Sequence, residues 1–319
     1  MHIPDGFVDV KTAVTAAGLS TVGLGMALRR VRRELPARRM PMLGLSAAFL
    51  FAAQLVNFPV AGGTSGHLMG GVLVAALLGP SAAVVVMATV LIVQCLLFAD
   101  GGLSALGSNL FDMGLLGTVG GYLVYRALAK RLRGLRGRVS AVAFAGWCSV
   151  VFAAIGCSGQ LAWSHTVPFA AGFPMMTLVH MLIGLGEGVI SALVYLAVCR
   201  VRPELGAEGA ANMSADGRGT RWYGLLAALG VAIFVAPFAS PWPDGLESVA
   251  IRLGFAESVA PSPIPVPLSG YHLPGIRSAT AATALAGAIG TVVVFALALL
   301  LGRILARDTV KPPAKESSC

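Results

Sequence analysis

Apolar runs flanked by basic residues constrain the fold of this chain more than any other feature of its sequence. Of 319 residues, 56% are hydrophobic and 12% are charged, whereas soluble domains carry about 25% charged residues. All but three of the 23 lysines and arginines lie in four clusters beside apolar runs, at 29–39, 126–138, 200–221 and 303–315. Such clusters mark the cytoplasmic ends of transmembrane helices. The sequence therefore predicts an all-α polytopic membrane protein.

The placement of the basic residues also predicts orientation and partners. Although the net charge is +9, the clusters are expected to form a solvated cytoplasmic face beside membrane lipid, with no nucleic acid bound. The first apolar run has no basic segment before it and is followed by arginines. This pattern predicts a multi-pass protein of the bacterial plasma membrane with its N-terminus outside, its C-terminus cytoplasmic and no cleavable signal peptide.

Nine membrane crossings are predicted from the apolar runs. The run 67–98 is too long for one ordinary helix and is broken at Gly79-Pro80, and two crossings here keep the cluster 126–138 in the cytoplasm. The first of them, 68–78, would rise about 16 Å, roughly half of the hydrocarbon thickness. His67 would then lie below the outer surface, inside the bundle. The full-length helices are expected at about 9–29, 40–57, 81–98, 109–127, 139–155, 175–199, 222–238 and 279–301.

The order of these helices predicts two membrane domains. A seven-span bundle that includes the short half-membrane helix is followed by a two-span domain, whose outer segment 239–278 contains seven prolines. That segment cannot be regular helix throughout, but Asp244 resembles a helix start and predicts an amphipathic helix over 246–255. The predicted boundaries are 1–202 for the bundle, 203–221 for a polar cytoplasmic linker, 222–305 for the second domain and 306–319 for a cytoplasmic tail.

The first two residues form a potential metal chelator. Methionine before a large residue is generally retained, so we expect the mature chain to begin at Met1. Its α-amine, the deprotonated amide nitrogen of His2 and the Nδ1 atom of His2 can surround one metal ion with three nitrogens in a plane. A second imidazole would complete the square, and His67, at the end of a Gly-rich segment, is the predicted companion. Planar nitrogen coordination favours Ni(II) or Cu(II).

Two ionisable residues of the seventh predicted span are further candidates. His180 and Glu187 are two helical turns apart and share a face. Ionisable groups within a span are functional candidates because they are costly in lipid. A buried polar pair that fixes the packing of the helix explains them as well.

Other polar residues are candidates for orienting the metal ligands. Asn57, Ser65, Asn109 and Asp112 are expected near the short helix, where they could hold ligands in place or satisfy broken backbone. The remaining histidines, His165 and His272, are expected to be exposed in outer loops. The five cysteines show no CxxC spacing and are interpreted mainly as buried apolar residues.

Three stretches together resemble the CbiM/NikM family, the substrate-capture (S) components of energy-coupling-factor transporters for cobalt and nickel. They are Met-His-Ile-Pro-Asp-Gly at 1–6, Gly-Thr-Ser-Gly-His-Leu-Met-Gly-Gly at 63–71 and Phe-Ala-Asp-Gly-Gly-Leu-Ser-Ala-Leu-Gly at 98–107. The resemblance covers residues 1–202. Residues 222–305, with Pro-Asp-Gly-Leu-Glu at 243–247, resemble NikN, the two-span partner subunit also called the PDGLE domain.

The resemblance implies a ligand set and partners. Met1, His2 and His67 would bind the metal through the amine, the His2 amide and two imidazoles. A transmembrane coupling (T) subunit and cytoplasmic ATPase (A) subunits would drive transport. Asp112 stands where relatives usually have asparagine, so the resemblance gives no role to that carboxylate.

Several functional classes remain open from the sequence. The chain has no HExxH, GxSxG or Walker motif, so we expect no enzymatic activity and no bound nucleotide. The leading hypothesis is capture of Ni(II), with Co(II) for cobalamin synthesis as the alternative substrate. A proton-coupled secondary metal carrier using His180 and Glu187 is the alternative class. A membrane metalloenzyme that adds His165 is disfavoured, because the Pro168–Pro174 turn separates it from the other two.

Overall fold

The computed structural model describes residues 1–36, 39–205 and 217–306, and within these ranges the chain is mostly helical. Helix α1 is Val10–Glu34 and is capped by the preceding Asp9, whose carboxylate accepts a hydrogen bond of 2.8 Å from the backbone N–H of Thr12. Arg32 and Arg33 in its last turn face the negative end of the helix dipole. The cap and the basic end account for a first helix somewhat longer than the predicted 9–29.

The remaining helices follow the predicted order. Four in the described part are long and apolar enough to cross a membrane, and two more are apolar but shorter, so the protein is a multi-pass membrane protein. The count of nine crossings stays a prediction. The helices are α2, Met40–Gln54; α3, Gly71–Leu78; α4, Pro80–Val93 with a π-helical turn Gln94–Phe98; α5, 106–129; α6, Gly134–Trp163; α7, Phe169–Val201; α8, Gly217–Gly230 extended to Phe238; α9, Gly245–Leu253; and α10, Ala279–Ala306.

The Gly-rich segment before His67 is a β-hairpin, which the sequence did not predict. Strands β1, Phe58–Val60, and β2, Thr64–Gly66, pair antiparallel. Gly62 and Gly63 connect them with φ values of 83° and 75°, a region that glycine adopts without steric cost. The hairpin gives the polar backbone of this segment its hydrogen-bond partners, as buried non-helical backbone requires.

The short helix begins three residues later than predicted. Gly70 has φ 71°, and a Cβ atom there would lie 2.1 Å from a methyl carbon of Leu50. The N–H groups of Met69 and Gly70 donate to the carboxylate of Glu187 rather than to a helical carbonyl. Residues 67–70 therefore stay outside the helix, and α3 begins at Gly71 with eight residues.

Helix α5 is continuous but unusually wide in its middle. It runs through an α-helical turn Leu106–Asn109, a π-helical stretch Leu110–Gly120 and an α-helical end Gly121–Ala129. The hydroxyl of Thr118 donates to the carbonyl of Met113, five residues earlier. Such π-helical insertions are frequent at functional sites, and this one lies immediately after Asn109.

The C-terminal domain packs against the first domain through α2, which contacts both α8 and α10. Between these two helices, the segment 239–278 crosses one end of the bundle. Its backbone N–H groups at Ser240, Ala260 and Leu268 donate to carbonyls of Asn57, Asp5 and Leu97, at 2.8, 2.8 and 2.9 Å. The predicted helix 246–255 is α9, and Asp244 caps it as expected.

The predicted linker and tail lie largely outside the described residues, at 206–216 and 307–319. Four cysteines are buried and free, as expected: Cys95, Cys148, Cys157 and Cys199. Cys319 lies outside the described residues. His165 and His272 are exposed, as predicted.

Candidate metal-binding site

The N-terminal segment lies inside the bundle rather than in solvent. Met1 and His2 are 9% and 8% exposed, and Ile3 is fully buried. The side chain of Asn109 holds the backbone of Ile3 from both sides, accepting from its N–H at 2.7 Å and donating to its carbonyl at 3.0 Å. The residue that follows the potential chelate is thus fixed to helix α5.

A second clamp fixes the chain two residues further on. The carboxylate of Asp5 accepts from the backbone N–H groups of Leu103 and Ser104 at 3.1 and 2.8 Å. Gly102 donates its N–H to the carbonyl of Ile3 at 2.8 Å. A Cβ atom at Gly102 would lie 2.2 Å from the nitrogen of Asp5, so only glycine permits this close approach. The Gly-Gly pair in the 98–107 motif therefore serves to seat the N-terminus.

The terminal amine meets His67 in this seat. The α-amino nitrogen of Met1 lies 3.2 Å from Nε2 of His67. Nδ1 of His67 is 3.2 Å from the carbonyl of Leu68, and a carbonyl can only accept, so Nδ1 carries the proton. Nε2 then presents its lone pair to the amine. This is the tautomer that a metal ligand requires, with the other ring nitrogen fixed by a backbone carbonyl.

The ring of His2 completes the cluster of nitrogens. It lies against the ring of His67 with the centroids 5.2 Å apart and the planes inclined by 21°. Nδ1 of His2 is 3.1 Å from a carboxylate oxygen of Asp100, and Nε2 is buried and bonded to none of the described residues. Burial lowers the pKa of His2, against the opposing attraction of Asp100. The imidazole is therefore neutral, and Nδ1 carries its proton because the carboxylate of Asp100 can only accept. That proton has to move to Nε2 before Nδ1 can bind a metal.

Two carboxylates flank the nitrogens, and sequence reasoning gave neither a role here. Asp100 contacts His2, and its other oxygen accepts from the hydroxyl of Tyr271, in the C-terminal domain. Asp244 forms an ion pair of 2.9 Å with the amine of Met1. Burial opposes ionisation of Asp244, but the positive terminus and the hydrogen bond from Glu247 N–H hold its pKa below the usual range. The only sequence signals were an acid in each of the two motifs at 98–107 and 243–247.

Glu187 and His180 take separate roles and do not form a pair. Both oxygens of the fully buried Glu187 accept backbone N–H groups, from Met69 at 2.6 Å and Gly70 at 2.9 Å. The residues that follow His67 are thereby tied to α7. Nδ1 of His180 is 2.8 Å from the carbonyl of Met176 and donates to it, so Nε2 is the ring nitrogen with a free lone pair.

A cavity of about 20 Å³ lies beside the terminal amine, large enough for about one water molecule. His180 faces this cavity, and its Nε2 is bonded to none of the described residues. The cavity is lined by the terminal amine, by two imidazoles and by one carboxylate. Its lining residues include Met1, His67, Met69, Met113, His180 and Asp244.

The four predicted orienting residues have different hydrogen-bond partners. Asp112 accepts from the side chain of Gln160 at 2.7 Å, on the side of α5 that faces α6. The hydroxyl of Ser65 donates to the carbonyl of Trp242 at 2.7 Å. Asn57 contributes its backbone carbonyl to the outer segment. Of the four, only Asn109 contacts the chain that carries Met1 and His2.

The atoms at this site that could bind a metal ion are mainly nitrogens. The described residues include no cluster of three or more histidine, cysteine or acidic side chains that could hold a metal. What converges is an amine and two imidazoles, next to a backbone amide that can lose its proton. Soft thiolate and all-oxygen sites are therefore disfavoured, and a divalent ion that accepts planar nitrogen coordination is favoured.

Comparison with known proteins identifies both domains. Residues 2–205 match the CbiM family, described as the cobalt uptake substrate-specific transmembrane region, and residues 218–307 match the PDGLE domain. A protein of Archaeoglobus fulgidus, provisionally named fused nickel transport protein NikMN, is 36% identical over 95% of this chain and 98% of its own length. The fused nickel transport protein NikMN of Rhodobacter capsulatus is 29% identical over 86% of this chain and 84% of its own.

Solved structures agree for the first domain. A crystal structure of a truncated transition metal transporter is 28% identical, with a TM-score of 0.58, and the match covers 63% of this chain and 99% of that one. The match of residues 2–205 extends over more than half of the chain, and the fused relatives share both domains. This chain therefore belongs to the CbiM family of metal-uptake membrane proteins and carries a PDGLE domain fused to its C-terminal side.

Proposed function

We propose that this protein is the substrate-capture component of an energy-coupling-factor importer for Ni(II). The ion would be held by the free amine of Met1, the amide nitrogen and Nδ1 of His2, and Nε2 of His67. The observation that carries the proposal is the 3.2 Å separation of the Met1 amine and His67 Nε2. Two nitrogens that are each about 2 Å from one metal ion, at neighbouring corners of a square, are about 2.9 Å apart. The observed pair is close to that separation.

The remaining two corners belong to His2. When the amine and Nδ1 take neighbouring corners to His67, the His2 amide takes the corner opposite to it. Nδ1 contacts Asp100 in the structure, so the chelate would close when the Nδ1 proton moves to Nε2 and the metal takes the place of the carboxylate. The clamp on Ile3 supports the geometry, because it fixes the peptide immediately after the chelating amide.

Nickel is favoured over cobalt on two grounds. Loss of an amide proton needs a metal ion with strong nitrogen affinity, and Ni(II) stands above Co(II) in the divalent order. The two relatives that share both domains are named as nickel transport proteins. Co(II) is the second candidate, because the family description names cobalt and a relative in Methanococcus voltae is provisionally named a cobalt transport protein.

The proposal includes partners and a membrane orientation. The chain has no nucleotide-binding motif, so a transmembrane coupling subunit and cytoplasmic ATPase subunits would supply the energy. The chain would cross a bacterial plasma membrane nine times, with Met1 outside and the C-terminus inside. The basic clusters beside the apolar helices support this orientation.

Metal titration of the purified, metal-free protein tests the proposal. We expect one Ni(II) per chain, with the absorption of a planar nitrogen complex and nitrogen neighbours by X-ray absorption spectroscopy. Co(II) should bind more weakly. A nickel ion with six oxygen-rich neighbours would contradict the ligand set, and tighter binding of cobalt would replace nickel as the substrate.

A further inference from the structure

The outer segment of the PDGLE domain reaches the N-terminus at two points. Asp244 contacts the amine of Met1 directly, at 2.9 Å. Tyr271 donates its hydroxyl to Asp100, which contacts Nδ1 of His2. The ring of Tyr271 is stacked on Phe98, with centroids 4.7 Å apart. The Met1 amine and Nδ1 of His2 are therefore each in contact with a carboxylate. The C-terminal domain supplies one of these carboxylates, Asp244, and binds the other, Asp100, through Tyr271.

Asp244 is itself held rigidly at this place. Its Oδ1 accepts from the N–H of Glu247 at 2.8 Å and caps helix α9, while Oδ2 faces the amine. The preceding carbonyl, of Pro243, accepts from the N–H of Ser65 at 2.8 Å. Ser65 is two residues before His67, so one short stretch of backbone sets the positions of both partners of the amine.

The residue after Asp244 is fitted to the cavity. A Cβ atom at Gly245 would lie 2.8 Å from Nε2 of His180 and 2.7 Å from a methyl carbon of Ile183. Glycine at this position lets the start of α9 approach α7 closely enough for Asp244 to reach the amine. In the Asp-Gly pair of the motif, Gly245 thus permits the close approach of the two helices, and Asp244 supplies the charge that faces the amine.

The charge of the amine requires a partner. Met1, which carries the amine, is only 9% exposed, and the amine contacts the ring of His67. Without Asp244 the protonated amine would be an uncompensated buried cation, and such groups are strongly unfavourable. When a dication binds, it replaces two protons, one from the amine and one from the amide. The charge that faces Asp244 is therefore the same before and after the metal arrives.

We propose that Asp244 is a positioning residue that holds the terminal amine beside His67, so that the PDGLE domain keeps the N-terminal chelator in the site before the metal binds. This inference rests on the function proposed above. It explains a physical need for the second domain, since a free terminus would lose part of its binding energy in being ordered at each binding event.

The first test measures the ion pair without any metal. The amine of Met1 is acylated in detergent-solubilised, metal-free protein, and its rate is compared with that of exposed Lys11 by mass spectrometry. Asp244→Asn keeps a good helix cap but removes the charge. We expect Met1 to react about tenfold faster or more in this variant, because breaking such a pair is strongly unfavourable. Asp244→Glu should restore part of the protection, and Glu257→Gln, an exposed acid of the same segment, should match the natural sequence.

The second test measures nickel affinity of the same variants. Asp244→Asn should bind nickel about tenfold more weakly, within the range for loss of a residue that orients ligands, while Glu257→Gln should bind normally. Equal acylation of Met1 in Asp244→Asn and the natural sequence, or acylation of Met1 as fast as Lys11 in the natural sequence, would overturn the inference. Protection of Met1 that depends on Asp244, in a protein that binds no nickel, would instead reject the proposed function and leave the ion pair standing.

Discussion

The α-amino nitrogen of Met1 lies 3.2 Å from Nε2 of His67, although 66 residues and two helices separate them in the chain. The contact depends on backbone features of both partners. Asn109 and Gly102 seat the residues after His2, and Glu187 holds the residues after His67. The nitrogens therefore lie in a site that is largely formed before the metal binds, which is the condition for tight and selective capture.

Removal of the clamp on Ile3 should weaken metal binding without touching a ligand. Asn109→Ala leaves the buried N–H of Ile3 without its partner, while the Ile3 carbonyl keeps only the N–H of Gly102. An unpartnered buried group costs about 1–3 kcal/mol. We expect nickel affinity to fall about tenfold or more and the melting temperature of the metal-free protein to drop. Asp112→Asn, one turn further on α5, should keep normal affinity because Asp112 contacts Gln160 instead. Equal losses in both variants would contradict a specific role for Asn109.

Glu187 should contribute to metal binding by fixing the backbone next to His67, and it should not carry protons during transport. Glu187→Gln replaces one acceptor oxygen by a donor, so either Met69 or Gly70 loses its partner. We expect about tenfold weaker nickel binding, whereas Ser191→Ala, which removes only a 3.3 Å hydroxyl contact to Glu187, should bind normally.

Nickel uptake by whole cells should survive an uncoupler and stop on ATP depletion. Uptake that collapses with the uncoupler alone, and a Glu187→Gln variant with normal affinity, would instead support the proton-coupled carrier.

Acid should destabilise the metal-free protein through His2. Because burial lowers the pKa of His2 below its ordinary 6.5, the unfolded chain binds the proton first as the pH falls. The stabilising contribution is complete above pH 6.5 and is lost progressively below it. The pKa of Asp244 is lowered as well, so its ion pair should persist through this window and fail only below about pH 4.

The check is the melting temperature of the metal-free protein between pH 7 and pH 5. We expect a decline that is smaller in His2→Asn than in the natural sequence. An identical decline in the two proteins would show that His2 is not the group responsible, and a flat profile in the natural sequence would show that its imidazole is not buried in the neutral form.

Membrane orientation is tested by single cysteines in a background that lacks the natural ones. Ser258→Cys in the outer segment should react with an impermeant reagent from outside the cell. Ser317→Cys, in the tail beyond the described residues, should react only after the membrane is opened. Reaction of both positions from the same side would remove the basis for nine crossings.

The sequence predicts the helices well where a long apolar run has one clear interpretation. The runs that became α6, α7 and α10 were all identified, although α6 and α7 extend further than expected. Helix α6 begins within the basic cluster 126–138, at Gly134. Helix α7 begins at Phe169, so Pro174, expected in a turn, lies inside the helix. The π-helical widening of α5 was not predictable, because an inserted residue leaves hydrophobicity unchanged. The β-hairpin before His67 was missed because three glycines in the five residues 62–66 give no strand pattern.

The site was predictable in part. A histidine at position 2 and a second histidine in a Gly-rich segment pointed to a nitrogen chelate, since the chemistry of the chelate is local to the first two residues. The contact of Asp244 with Met1 was not predictable, because 243 residues separate them and the acid also serves as an ordinary helix cap. Asp100 was missed for a similar reason, since a lone acid between an apolar run and two glycines is typical of a loop.

Insertion of a leucine between Met1 and His2 tests the central claim most directly. The histidine then stands at position 3, where one amine, two amides and one imidazole fill a square plane without His67. We expect this variant to bind nickel with a peptide-like absorption band while transport falls to background. His67→Ala should keep three nitrogens and bind nickel about 100-fold more weakly, at or beyond the upper range for loss of an orienting residue. Normal transport by the insertion variant would show that the N-terminus is not the metal site.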